Sequence, residues 1–429
     1  MSPLTLAVAL ALSQAAQPAA QAALPKTPAE CLKAVRDFVV NRQRELRPAT
    51  GMTVEIVRQV EKERIAMAAD CAAQFDVATV AARDLASLAD LYSDAARPDQ
   101  AKRALDRALT ATDMPVNDRA VVLAQAVRSG LREPKNAERN ARLEAYVDEL
   151  DRMPDTAFDQ KFSAHNTLNG YYRADDIDAG IIKHSTWIID AAKTFTPEQR
   201  QRLAISVVNA YANMAEAWAG QGMTEKAIEF LRRGQAEWRD VPRADEGYFL
   251  PLIERLSLVG TPGASITAPH WLNGPDGKTS IEMPGAVTLL EFTAHWCGPC
   301  KESYPGIKRL LAKYGTQGFR VVFATELYGY FGAEQKLPPE VELERDREYF
   351  TKKEGFDVPV AIGGRTAPEM VNGRPVYKPD PNFAAYKVGG IPQIHLLDRQ
   401  GKLRLIMTGY DDENESKLAA LIESLLKEK

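Results

Sequence analysis

The spacing of apolar positions divides the chain into unlike stretches. Leu4 to Leu12 (LTLAVALAL) is a short uncharged apolar run. From about Pro25 to Ser257, apolar residues recur at helical spacing among Ala, Leu, Arg, Glu and Gln. Pro115, Pro154, Pro197 and Pro242 interrupt that pattern at intervals of about 40 residues, which predicts helical hairpins. Leu258 to Ala268 (LVGTPGASITA) is rich in Gly, Pro, Thr and Ser and lacks a 3.6-residue period, so it reads as a linker or strand entry. The pattern then changes. Gly274-Pro275-Asp276-Gly277-Lys278 signals a turn, and Ala286 to Thr293 suits a buried strand. A helix is expected after Cys297, another strand over Phe319 to Thr325, and a hairpin of Ile394 to Asp398 and Leu403 to Thr408 joined by Arg399-Gln400-Gly401-Lys402. Ser416 to Lys429 places Leu418, Leu421, Ile422, Leu425 and Leu426 on one face, as an amphipathic helix on a sheet requires.

The helical stretch contains a recurring pattern. Leu85, Leu88, Ala89 and Tyr92 are followed by Ala101, Leu105 and Ala108, with Pro115 beyond; Tyr211, Met214, Ala215 and Trp218 are followed by Ala227, Leu231 and Gly234, with Pro242 beyond. Small residues at Ala89/Ala101 and Ala215/Ala227 let paired helices approach, and the large ones fill the groove against the next pair. The spacing resembles a tetratricopeptide repeat. Leu168, Tyr172, Trp187 and Ile188 form a weaker copy between them, and an ordinary helical bundle remains the alternative. The expected architecture is a signal peptide over residues 1–22, an all-α helical-repeat domain over 23–258, and an α/β domain over 263–429.

Composition narrows the function. The chain has 429 residues, 45% apolar and 26% charged, which excludes a disordered or low-complexity chain and, at roughly 150 residues per domain, predicts two or three domains. A net charge of −4 leaves no electrostatic footprint for nucleic acid or anionic lipid, so partners are expected to be proteins or small molecules. The Leu4 to Leu12 run, followed by Ala20-Gln21-Ala22, reads as a secretory signal peptide, although no Lys or Arg precedes it; an Ala-rich tail is the alternative. The run is short of the roughly 20 apolar residues that a spanning helix needs, so no transmembrane segment is expected. The expected location is the periplasm or another exported compartment. Of four cysteines, Cys31 and Cys71 lie in helical surroundings, where they form a bridge between neighbouring helices or two buried thiols.

Cys297 and Cys300 stand in Trp296-Cys297-Gly298-Pro299-Cys300-Lys301, directly after a predicted strand. That position puts Cys297 at a helix N-terminus, where unpaired N–H groups and the helix dipole stabilise a thiolate. Cys297 is the expected nucleophile, and Cys300, one turn on, is placed to resolve the mixed disulfide that Cys297 forms. Half of a zinc site is the competing reading, but His165, His184, His270, His295 and His395 are scattered and the other cysteines lie more than 200 residues upstream. No metal or cofactor is expected beyond the Cys297–Cys300 disulfide. Residues 263–429 resemble the thioredoxin family, and within it the exported TlpA-like and ResA-like disulfide reductases. The resemblance rests on the Trp296 to Lys301 signature, on Pro305 in the following helix, on Gly390-Ile391-Pro392, on Ala268-Pro269, on the Asp276-Gly277-Lys278 turn and on Asp398-x-x-Gly401-Lys402. It implies an α/β thioredoxin fold, a cis Pro392 beside the dithiol, and substrate-binding roles for Trp296, Ile391 and Pro392.

Glu291 falls six residues before Cys297, where cytosolic members of the family carry a buried Asp. A carboxyl raised in pKa by burial can take the proton of Cys300, whereas a glutamate reaching solvent or a basic partner cannot. Ser303 stands where the exported branch often has Glu, Glu302 is one position early, and no Lys on the Phe319 to Thr325 strand is available to pair with Glu291. His295 either tunes Cys297 or is a surface imidazole. Glu326 to Tyr386 is longer than the fold requires; it holds Tyr328-Gly329-Tyr330-Phe331-Gly332 and a charged helical stretch from Pro339 to Gly355, and would lie near the dithiol. The resulting expectation is an exported thiol-disulfide oxidoreductase acting as a reductase on protein disulfides, fed by an unidentified redox partner, with a helical domain that recruits a protein. The alternative is a helical scaffold whose thioredoxin domain serves as a binding module.

Overall fold

The computed structural model describes residues 25–428 apart from 48–53, 175–176, 275–276, 365–368, 372–373, 377 and 411. The expected signal segment, residues 1–22, and Pro275 and Asp276 of the expected turn lie outside the described residues. Two compact units divide between Lys161 and Phe162. The sequence-based boundary near 258–263 instead marks where helices give way to strands. Helices beyond Phe162 contact the sheet that follows them, and this places them in the second unit.

The first unit is helical: α1 Pro28–Leu46, α2 Val54–Ala72, α3 Leu85–Asp94, α4 Pro98–Thr110, α5 Val116–Gly130 and α6 Ala137–Asp151. Thr27 caps α1 in a reciprocal capping box with Glu30, followed by Pro28 in the first turn, where a missing N–H costs nothing. Cys31 and Cys71, both fully buried, join α1 to α2 as a disulfide with Cα atoms 5.9 Å apart. In the α3–α4 hairpin, Leu85, Leu88, Ala89, Tyr92, Ala101, Leu105 and Ala108 are all buried.

The second unit opens with α7 Phe158–Ala174, which begins just before the division, then α8 Asp178–Ala192, α9 Pro197–Gly220, α10 Thr224–Glu237 and α11 Leu250–Leu256. Thr196 and Gln199 form a second capping box at α9. Ala215 and Ala227 are fully buried where α9 and α10 meet. Gly234 on α10 has no room for a side chain, since a Cβ there would lie 2.7 Å from the Tyr211 ring and 2.8 Å from the Phe249 ring.

After β1 Ile266–Thr267, β2 His270–Leu272 and β3 Ser280–Ile281 come the central strands β4 Val287–Phe292 and β5 Phe319–Glu326, with α12 Gly298–Tyr314 between them. The Glu326 to Tyr386 stretch forms β6 Tyr330–Phe331, β7 Glu334–Gln335, α13 Pro339–Arg347, β8 Val360–Gly363, β9 Glu369–Val371, β10 Arg374–Val376 and α14 Pro381–Ala385. The chain closes with β11 Gln393–Leu397, β12 Leu403–Thr408 and α15 Asp412–Lys427. Six strands make one mixed sheet in the order β12-β11-β4-β5-β8-β2, with β4, β5 and β8 parallel and the others antiparallel to their neighbours. Sequence reading missed β8, a four-residue apolar run inside the long connection, too short to be told from loop packing.

Alternation along β4 sets the layers. Val287 and Leu289 face the cluster built from α12 and α15, with Ile307, Leu310, Leu418, Ile422 and Leu425, whereas Leu290 and Phe292 face a second cluster with Tyr386, Leu397 and Leu403. By the same alternation Glu291 points toward α12.

The packing around Gly234 is directly testable. Gly234→Ala should cost about 1–3 kcal/mol of stability through overpacking, despite alanine's better helix propensity. Gly170→Ala, on α7 with nothing within 4 Å of the added Cβ, should be neutral or slightly stabilising in the same thermal unfolding measurement.

Candidate active site

Strand β4 is buried at every position, and its carboxyl end delivers the chain into α12. Cys297 is the N-cap of α12, and its sulfur accepts the Cys300 N–H at 3.1 Å. Gly298 and Pro299 form the first turn, where proline displaces no helical hydrogen bond. Cys297 and Cys300 are joined as a disulfide, with Cα atoms 5.3 Å apart. Cys297 is 2% exposed and Cys300 fully buried, so Cys297 is the outer sulfur. Pro305 lies inside α12.

The Ile391–Pro392 bond is cis. Ile391 packs against the apolar cluster that contains both cysteines, which brings the Gly389 to Pro392 loop to the dithiol. Trp296 is 44% exposed, an uncommon state for so large an apolar side chain, and meets Tyr328 edge-on at 5.3 Å. Trp296, Ile391 and Pro392 therefore border the same site as the two cysteines.

Glu291 is fully buried and lacks a basic partner; its neighbours across the sheet are Phe323 and Ile394. The Ser303 hydroxyl lies 3.1 and 3.2 Å from its two carboxylate oxygens and 2.7 Å from the Cys300 carbonyl oxygen. One hydroxyl hydrogen cannot serve all three acceptors. With Glu291 protonated, its O–H donates to the Ser303 oxygen while the Ser303 O–H donates to Cys300, and every group is satisfied. Burial pushes the Glu291 carboxyl up to about 8, against a smaller opposing pull from the Ser303 hydrogen bond. Ser303, a departure from the family pattern in sequence, is thus the group that ties the carboxyl to the backbone carbonyl of the second cysteine.

His295 is buried, 5% exposed, and is not a surface imidazole. Its Nδ1 lies 3.2 Å from Asp346, and Phe331 stacks on the ring at 4.5 Å. The Tyr328 to Gly332 segment and α13 therefore sit against the loop that leads into Cys297. His395, on β11, is held neutral by burial, which pushes it down to about 3.

Sequence reading did not single out Arg255. This α11 residue donates from Nη2 to Glu216 at 2.6 Å and from Nη1 to the Gln393 side-chain oxygen at 3.3 Å, and that same oxygen accepts the Gly389 N–H at 3.1 Å. A Cβ on Gly389 would lie 2.4 Å from the arginine Nη1, so a side chain there would push the guanidinium aside. The helical elements of the second unit thereby brace the cis-proline loop. No local motif marks such a contact, because its partners are separated by 138 residues.

A dithiol held at a helix N-terminus above a buried carboxyl is equipped for disulfide exchange, and the sheet and helices around it have the thioredoxin fold. The chain is a thiol-disulfide oxidoreductase. No protein-family model matches it. Two curated proteins named thiol-disulfide oxidoreductase ResA are similar to its C-terminal part. The one from Geobacillus thermodenitrificans is 26% identical over 146 residues, 33% of this chain and 68% of the relative; the one from Geobacillus kaustophilus is 26% identical over 147 residues with the same coverage. Among solved structures, a thiol-disulfide isomerase from Corynebacterium glutamicum is 21% identical, with a TM-score of 0.30 over 39% of this chain and 97% of its own. A thioredoxin-family thiol:disulfide interchange protein from Chlorobium tepidum is 19% identical, with a TM-score of 0.27 and the same coverage. On the residues and the curated relatives, the segment that carries the dithiol is similar to the TlpA/ResA-like branch of the thioredoxin family.

Two outcomes check the site. An unfolded glutamate titrates near 4.5, so between about pH 4.5 and 8 the folded protein keeps a proton that the unfolded chain has lost. Folding stability must then fall as pH rises through that window, by at most about 1.4 kcal/mol per unit. In the oxidised protein, Glu291→Gln should flatten this slope in urea unfolding measured across the window; an unchanged slope would show that Glu291 does not hold the proton. Arg255→Met should raise KM for a protein disulfide several-fold with little change in kcat, because it loosens the binding loop and leaves the dithiol intact.

Proposed function

We propose that this chain is an exported disulfide reductase that acts on protein substrates through Cys297 and Cys300, with its helical region recruiting a protein partner. The observation that carries the reading is the Cys297–Cys300 pair at the N-terminus of α12, with a buried carboxyl of raised pKa that Ser303 ties to the Cys300 backbone carbonyl. In the reduced enzyme the helix N-terminus favours the Cys297 thiolate, which attacks one sulfur of a substrate disulfide. The substrate's S–S bond breaks, a mixed disulfide forms on Cys297, and the departing substrate thiolate takes up a proton. The Cys300 thiol then loses its proton and attacks the Cys297 sulfur. This releases the second substrate thiol and leaves the enzyme disulfide, with two electrons passed to the substrate. Ionised Glu291 is the base for the Cys300 proton and its protonated form is the acid in reverse, the roles for which a pKa near neutrality suits it. Trp296 and Ile391 offer apolar surface to the substrate chain, and Pro392 leaves the adjoining backbone free to pair with it. Regeneration requires an external dithiol donor.

Export is supported by the Leu4 to Leu12 run and by the Cys31–Cys71 bridge, which suits an oxidising compartment. Partner recruitment is supported by the tetratricopeptide-like spacing of the α3–α4 and α9–α10 hairpins and by a groove of about 660 Å³ bordered by Tyr211, Trp218, Phe230 and Trp238. That groove also favours the second reading, a scaffold with little turnover.

Insulin reduction separates the two. The wild type should reduce insulin at the expense of dithiothreitol, Cys297→Ser should abolish the activity, and Cys300→Ser should accumulate mixed disulfides. Glu291→Gln should slow turnover by about 100-fold, the usual scale of a lost proton-transfer group. No wild-type activity would favour the scaffold. A dithiol potential near about −270 mV fits a reductase, and one near about −120 mV an oxidant.

A further inference from the structure

Beside the dithiol lies a second buried cluster to which disulfide exchange assigns no role. His295, two residues before Cys297, meets Glu342 and Asp346, one turn apart on α13; the three are 5%, 0% and 1% exposed. One ligand atom from each lies within 4.8 Å of the others. The Asp346 Oδ1 is within ion-pair reach of His295 Nδ1 at 3.2 Å, yet neither ring nitrogen and neither Asp346 oxygen makes a hydrogen bond. Glu342 is pinned by the backbone N–H groups of Tyr328 and Gly329, each donating at 2.6 Å to a different oxygen, which leaves each oxygen a free lone pair. Phe331 stacks on the imidazole, and Tyr328 and Tyr330 meet it edge-on at 5.9 and 5.6 Å, walling the cluster in apolar surface.

Buried polar atoms without partners are uncommon and costly. Ionised, the two carboxylates place two negative charges against at most one imidazolium, in surroundings that solvate none of them. A divalent cation resolves both problems, because it accepts one lone pair from each group and neutralises the charge. We propose that His295, Glu342 and Asp346 form a binding site for a divalent transition metal, Zn²⁺ foremost, at the junction of the long connection and the active-site loop. One imidazole and two carboxylates suit zinc, with manganese or iron next, and do not suit calcium or magnesium, which prefer oxygen alone. Metal–ligand lengths of about 2.0–2.2 Å put tetrahedral donors about 3.4 Å apart, which small side-chain rotations reach from the observed spacing. The expectation of no metal rested on cysteine and histidine spacing; the carboxylates on α13 lie about 50 residues from His295 and form no motif with it. The bound ion would clamp Tyr328 to Phe331 and α13 onto the loop leading into Cys297.

The test uses the full chain kept oxidised, so that no cysteine thiolate can bind metal, stripped with a chelator and titrated with ZnCl₂ or MnCl₂. Calorimetry and metal analysis should give one Zn²⁺ per chain. His295→Ala and Asp346→Asn should each weaken binding by about 100-fold or more, while Cys297→Ser/Cys300→Ser should leave it unchanged. In the wild type, zinc should slow amide hydrogen exchange over residues 328–347, a readout that needs no variant to fold. Failure of the oxidised wild type to bind either metal stoichiometrically, undiminished binding by Asp346→Asn, or zinc binding without protection of that segment would each overturn the proposal. Insulin reduction is independent of these outcomes.

Discussion

The active site depends on one constraint: a strand buried on both faces must end where a helix begins, so that the first residue of the turn is shielded by the core while its sulfur is the outer one of the pair. Strand β4 meets the first half of the requirement, with neighbours on both edges and apolar clusters on both faces. Helix α12 meets the second, with Cys297 as its cap and Pro299 in its first turn. The two-residue alternation of β4 then aims Glu291 at α12, where Ser303 is the only hydrogen-bonding side chain recorded against it among the described residues. A carboxyl in that position holds its proton up to about pH 8, because no positive charge offsets the cost of burying its ionised form. The cost of burying it is the source of the proton-transfer role proposed for it.

The elements attached to this frame act on the outer half of the site. Arg255 reaches from α11 to Gln393 and Gly389, and Lys387 on the same loop pairs with Glu254 at 2.8 Å. Lys417 of α15 pairs with Asp178 of α8 at 2.8 Å, so the helices of the second unit hold the sheet domain at more than one point. The domain is therefore not an independent module strung behind a linker. Helices α9 to α11 thus carry the residues that brace the cis-proline loop beside the dithiol.

On the opposite side, the long connection replaces what is a short crossover in a minimal fold with an aromatic wall and a buried acidic pair. Its first residues run directly from β5, and α13 returns over the His295 loop. The consequence is that Cys297 is flanked by the braced cis-proline loop and the walled His295 loop, while Cys300 and Glu291 sit fully buried beneath them.

How much of this was legible in the sequence follows from the range of each interaction. The Trp296 to Lys301 signature, the strand before it, the amphipathic closing helix and the Gly390-Ile391-Pro392 element are local patterns, and each lies close to where its spacing places it. The hairpin spacing in the helical stretch likewise predicts which alanines are buried. The state of Glu291 was only a choice between two environments, because nothing local to it distinguishes a carboxyl facing Ser303 from one facing a lysine. His295 could be read as tuning the nucleophile or as exposed until α13 was seen to cover it, and Arg255 carries no motif at all. By itself, then, the sequence determined the dithiol, its helix and its fold, since these follow from periodicities of two and 3.6 residues and from turn chemistry. The tertiary structure alone decided which groups lose water together, because desolvation is set by neighbours tens to hundreds of residues apart, and that loss fixes the carboxyl's proton, the braced loop and the buried His295 cluster.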